Sequence, residues 1–65
     1  MTPQDVASRV NYVNNLRGDD EVAHSAEDDL YADVLQAIAD GADSPAELAR
    51  VALGTKSINF NRRCA

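Results

Sequence analysis

Tryptophan is absent, aromatic residues make up 5% of the chain, and 65 residues include one cysteine, two prolines and three glycines. Each scarcity excludes something. A lone cysteine, Cys64, cannot close an internal disulfide, and a prenylation box needs three residues after the cysteine. No apolar run approaches the roughly 20 residues of a membrane span, so no membrane partner is expected. The opening Met1-Thr2-Pro3-Gln4-Asp5 lacks the basic leader and apolar stretch of a secretory signal, so a cytoplasmic location is expected. The three glycines stand singly at expected helix ends, which leaves no material for a glycine-rich phosphate loop.

Catalytic chemistry is equally short of parts. His24 and Cys64 form the one nucleophile–base combination, and they are far apart in sequence. Glu21-Val22-Ala23-His24 has the spacing with which helical di-metal proteins offer ligands, but the companion carboxylates from other helices are missing. No catalytic residue, metal or cofactor is therefore expected, and the chain is not expected to be an enzyme.

Basic charge is missing from the middle. The formal net charge is −5. No Lys or Arg lies between Asp19 and Glu47, a stretch that holds all of the acids except Asp5. Arg9 and Arg17 precede it, and Arg50, Lys56, Arg62 and Arg63 follow it. The chain is acidic in the middle and basic at its end.

Apolar residues are present at 45%, enough for a globular protein. Many of them are alanine, however, which leaves few large side chains to build a core. A fold this small is expected to be marginal alone and to gain from a partner or from self-association.

The pattern predicts an all-α, single-domain chain over residues 1–65 with three helices. Thr2-Pro3-Gln4-Asp5 reads as a cap with proline at the first helical position, followed by Val6, Val10, Val13 and Leu16 on one face. That helix is expected over about 3–16, with Gly18 as its left-handed stop. Leu30, Tyr31, Val34, Leu35, Ala37 and Ile38 form an amphipathic stripe. A continuous helix over about 19–40, capped by Asp19, is favoured over one that begins at Ala26 behind a Ser25 cap. Ser44-Pro45-Ala46-Glu47 is the strongest cap signal and opens a helix over about 45–53 that ends at Gly54. A short terminal helical turn at Phe60–Cys64, capped by Asn59, is weakly favoured over an extended segment, which the spacing of Ile58 and Phe60 would suit. The expected core is Val6, Val10, Val13, Leu30, Val34, Ile38, Leu48, Val51 and Phe60.

Two constellations stand out. Residues 45–63 have the order of a helix-turn-helix motif, with a Leu48-Ala49 pair and a basic, Asn-rich second half. In that reading Lys56, Asn59, Asn61, Arg62 and Arg63 would face nucleic acid. Gly54 sits one residue late for the motif, Thr55 stands where an apolar residue is usual, and the acidic middle would repel a duplex. The second constellation is on the long helix. Asp28, Asp29, Asp33 and Asp40 fall opposite the apolar stripe as a solvated face, whereas Glu27 and Asp20 fall within it, with His24 at its edge. An inward carboxylate needs a cation, so Glu27 is expected to be buried and paired with Arg9, Arg17, Arg62 or Arg63.

Taken together, Asp19-Asp20-Glu21, Ala23-His24-Ser25, Glu27-Asp28, Asp33-Val34-Leu35, Ile38-Ala39, the Pro45-Ala46-Glu47-Leu48-Ala49 helix and terminal Ile58-Asn59-Phe60 resemble a family of small proteins of actinobacteria and their phages. The resemblance covers nearly the whole chain and implies no particular activity. Members of that family often carry an aromatic residue where this chain has Arg63, a departure that removes an apolar anchor from the tail and adds to its positive charge. The expected role is a small non-enzymatic protein-interaction or regulatory module, with a protein partner or homo-oligomer. The alternative is a DNA-binding regulator that uses residues 55–63, and an acidic mimic of nucleic acid is a more distant third.

Overall fold

The computed structural model describes residues 1–62. Three helices, α1 (Pro3–Asn15), α2 (Asp20–Ala39) and α3 (Pro45–Ala52), are followed by a 3-10 turn at Leu53–Ser57 and then by a tail without regular secondary structure. The all-α, three-helix architecture read from the sequence is the architecture observed. Among the described residues no helix is long and apolar enough to cross a membrane.

Local chemistry accounts for most helix ends. Thr2 Oγ1 accepts from the Asp5 amide at 3.1 Å, and the Asp5 carboxylate accepts from the Thr2 amide at 2.8 Å. This closed capping box, with Pro3 already at a helical φ, starts α1. These bonds to Thr2, the backbone amide first, lower the Asp5 pKa. The Asp19 side chain accepts from the Val22 amide at 3.2 Å and starts α2, which runs unbroken through His24 and Ser25. Gly41, at φ 88°, ends α2 in a paired closure. Its amide donates to the Ile38 carbonyl and the Ala42 amide donates to the Ala37 carbonyl, both at 3.0 Å.

Four local expectations need correction. Gly18 is not left-handed. The end of α1 instead tightens through bonds from Leu16 to Val13, Arg17 to Asn14 and Asp19 to Leu16, which satisfy its carbonyls without a positive φ. Ser44 itself takes the left-handed conformation, at φ 55°, and its side chain caps nothing. Only its carbonyl serves α3, accepting from Glu47 and Leu48. Gly54 does not stop the chain's helical path, which continues as the 3-10 turn to Ser57. Finally, the described part of the expected terminal turn, Phe60–Arg62, is not helical, and its remainder to Cys64 lies outside the described residues. The terminal turn lies earlier, at Leu53–Ser57, and Asn59–Arg62 has no regular secondary structure, so the described part of 45–63 contains no second, recognition-type helix. Ile58, whose own backbone is extended, and Phe60 both pack into one apolar cluster.

The core has two parts. Val6, Leu30, Val34, Leu48 and Ala52 join the three helices, flanked by half-buried Val10, Tyr31, Ile38 and Val51. Val13, Ala23 and Phe60 form the second part, which the tail covers with help from Ile58. Val10, Ile38 and Val51 thus line the expected core without being enclosed by it, and the small Ala23 and Ala52 take fully buried places. Leu35, counted within the α2 stripe, is 67% exposed. A stripe of six residues is wider than the arc of α2 that its neighbours cover, and Leu35 lies on the uncovered edge.

Candidate functional site

Two features could carry function: a buried polar knot beneath the tail and an open apolar groove between α2 and α3. The knot comes first because it sets where the tail lies. Glu27 is on the inward face of α2 and is 3% exposed. Arg62 grips its carboxylate with two parallel bonds, Nε to Oε1 and Nη2 to Oε2, each 2.9 Å. That fork-on-fork geometry is the strongest form of the pair. Arg62 Nη2 also donates to the Thr55 carbonyl at 2.9 Å, and its guanidinium lies 4.0 Å from the centre of the Phe60 ring. One arginine therefore ties together α2, the 3-10 turn and the tail.

The electrostatics follow the geometry. The Arg62 hydrogen bonds pull the Glu27 pKa below its ordinary value, burial pushes the other way, and a bond from Thr55 adds to the lowering. The same carboxylate raises the Arg62 pKa against a smaller desolvation effect. Thr55 is fully buried, and its hydroxyl is hydrogen-bonded to the Tyr31 hydroxyl. No buried side-chain polar atom among the described residues lacks a partner.

Among the described arginines considered for Glu27, Arg62 is the one that reaches it. Arg9 instead meets Asp33 at 3.0 Å on the surface, and Arg17 bonds Asn14. Arg63 lies outside the described residues, as does Cys64. The other inward acid, Asp20, accepts the Asn61 amide at 3.1 Å and so pins the tail a second time. His24 approaches Asp28 one turn on, at 3.7 Å. Among the described residues no group of three His, Cys, Asp or Glu side chains is placed to hold a metal.

The residues offered for nucleic acid are not brought together as one reading surface. Arg62 turns inward to Glu27, and the Asn61 backbone is bonded to Asp20. Lys56 and Asn59 are exposed on the 3-10 turn and the tail respectively. Thr55 is buried where the sequence reading saw only a polar departure from an apolar position. Its signal was present: Tyr31 is the one aromatic on the apolar face of α2, and a buried tyrosine hydroxyl requires a partner.

The groove is the more open feature. Tyr31, Val34, Leu35 and Ile38 of α2 face Ala49, Ala52 and Leu53 across a hollow of about 230 Å³. Leu35 and Leu53, exposed at 67% and 52%, stand on its two banks. Small residues on α3 leave the floor low, so the hollow is a shallow apolar trough with no polar group set to orient a small molecule. Its wall chemistry suits another protein's apolar side chains better than a substrate. The groove has no local signature in the sequence, because Leu35 belongs to the apolar stripe of α2 and its exposure is decided only when the helices pack. No family model, curated protein or solved structure matches this chain.

Proposed function

We propose that the protein is a small, non-enzymatic interaction module that docks a protein partner in the apolar groove between α2 and α3. The observation that carries this reading is the pair of leucines, Leu35 and Leu53, held in the open on either side of an apolar floor. Burying them stabilises a complex by the same hydrophobic effect that is in short supply inside the chain. Duplex binding through residues 55–63 is the weaker reading, because the Arg62 guanidinium is committed to Glu27 and the adjoining α2 surface is acidic.

Site-specific photo-crosslinking in an actinobacterial host tests the proposal. A photoreactive residue at position 35 or 53 is expected to give a discrete protein adduct, and the same residue at Ala7 or Asp29, which lie away from the groove, is expected to give none. Equal labelling at all four positions, or none at 35 and 53, overturns it. A salt-sensitive shift of duplex DNA that disappears with Lys56→Ala would transfer support to the weaker reading.

A further inference from the structure

One residue of the 3-10 turn joins the groove to the tail. Thr55 is fully buried. Its hydroxyl is bonded to the hydroxyl of Tyr31, a wall of the groove, and its carbonyl accepts from Arg62 Nη2 at 2.9 Å. Arg62 is in turn held on Glu27, one helical turn before Tyr31 on the same face of α2. The turn that carries Thr55 begins at Leu53, the leucine of the opposite bank. A 3-10 turn has poor internal hydrogen-bond geometry, so bonds from outside it help to decide where Leu53 stands. Two such bonds meet at Thr55, one from the groove wall and one from the tail.

We propose that the tail regulates the groove through Thr55: Arg62, seated on Glu27, steadies the 3-10 turn and so holds the Leu53 bank in its docking position, and release of the tail frees that bank. This rests on the reading of the groove as a docking site and adds its regulation. The tail is suited to be the moving part. Beyond Ile58 it has no regular secondary structure, and side chains hold it to the body. Glu27 takes Arg62, Asp20 takes the Asn61 amide, and Phe60 with Ile58 packs against Val13 and Ala23. A segment held in this way opens at a lower free energy than packed helices do. Coupling between two sites is reciprocal, so a partner that fixes Leu53 also holds the tail down.

NMR of the whole chain reads the link in both directions. Arg62→Lys keeps a cation for Glu27 but loses the planar fork that serves the carboxylate and the Thr55 carbonyl together. The Leu53 amide donates to the Ala49 and Val51 carbonyls and the Ile58 amide to the Thr55 carbonyl, so the two bracket the turn. In Arg62→Lys both are expected to exchange about tenfold faster relative to the Leu30 amide, the loss of roughly one net hydrogen bond. Tyr31→Phe keeps the ring in the groove wall and removes the hydroxyl. It is expected to speed the same amides and to move the Val13 and Ala23 methyl resonances, which lie under Phe60, toward unshifted values, although Ala23 is about 12 Å away along α2. Tyr31→Phe alone decides the link if Arg62→Lys does not fold. Equal acceleration at Leu30 and at the turn marks a general loss of stability and overturns the proposal, as does a Tyr31→Phe change that stops at the groove. The photoreactive residue at position 35, which leaves Leu53 intact, then reads the partner: Arg62→Lys is expected to lower the adduct yield roughly fivefold. An unchanged yield overturns the regulation and leaves the docking groove standing. No adduct even in the otherwise native chain, with the exchange and methyl changes as expected, removes the groove reading and leaves only the link between turn and tail.

Discussion

Glu27 is a carboxylate placed where packing alone would choose leucine, and Arg62 makes it tolerable. Removing the arginine leaves a charge on the inward face of α2 without its partner. Arg62→Ala is expected to destabilise the fold by about 2 kcal/mol, below the usual range for a buried pair because the Arg62 side chain is 35% exposed. Replacing both groups together, Glu27→Leu with Arg62→Met, is expected to recover most of that loss, since the apolar pair needs no counter-charge. Urea unfolding of the single and double variants gives the coupling. Acid has the same target. The Glu27 pKa is lower folded than unfolded, so the unfolded chain takes up the proton first as pH falls. The stabilisation is complete above the ordinary glutamate pKa of about 4.3 and is lost as pH drops from there through the lowered folded value. A thermal melt series between pH 6 and pH 3 is expected to show a steeper acid loss in the native chain than in Glu27→Gln.

At the scale of elements, the helix starts are not equivalent. Thr2 and Asp19 each place a side-chain oxygen on an amide that would otherwise lack a partner, and Ser44 does not. Asp19→Ala is therefore expected to cost about 1 kcal/mol. Ser44→Gly is expected to be neutral or to stabilise by up to about 1 kcal/mol, because glycine accepts a φ of 55° that costs serine. Thermal unfolding of the two variants checks both signs. The contrast comes from how α3 enters the bundle. Gly41 turns the chain sharply at the end of α2, and Ser44 must then twist left-handed to bring Pro45 into line. The serine–proline–glutamate signal marks the right helix start while misreading the role of its first residue.

Across the whole molecule, the tail takes the place of the fourth element that a three-helix core lacks. Phe60 and Ile58 cover Val13 and Ala23, Arg62 reaches Glu27, and the Asn61 amide reaches Asp20. With so few large apolar side chains, each enclosed one matters. Leu30→Ala, at the centre of the larger cluster, is expected to cost about 3 kcal/mol, enough to remove a cooperative melt followed by circular dichroism. Leu35→Ala, on the same helix five residues on, is expected to change the melt of the dilute chain by under about 0.5 kcal/mol. Similar melting of the two variants would mean that α2 is rotated from the orientation described.

Helix number, order and most helix limits were legible in the residues, because caps, proline at a first helical position and four-residue apolar spacing act within a few residues of one another. The inward setting of Glu27 was legible for the same reason: it follows from the angular position of residue 27 on a continuous helix. What could not be read locally depends on contacts between residues far apart in the chain. The choice of Arg62 over Arg9 or Arg17 follows from where the tail crosses α2, 35 residues from the glutamate. The course of the tail over residues 58–62 follows from the apolar face that it covers, which exists only once α1 and α2 have packed. Leu35 belongs to the apolar stripe of α2 in one dimension, and Leu53 carries no signal of its own. They lie open because α3 is short and lined with alanine, so it stops short of covering the edge of α2, and that uncovered edge is the groove.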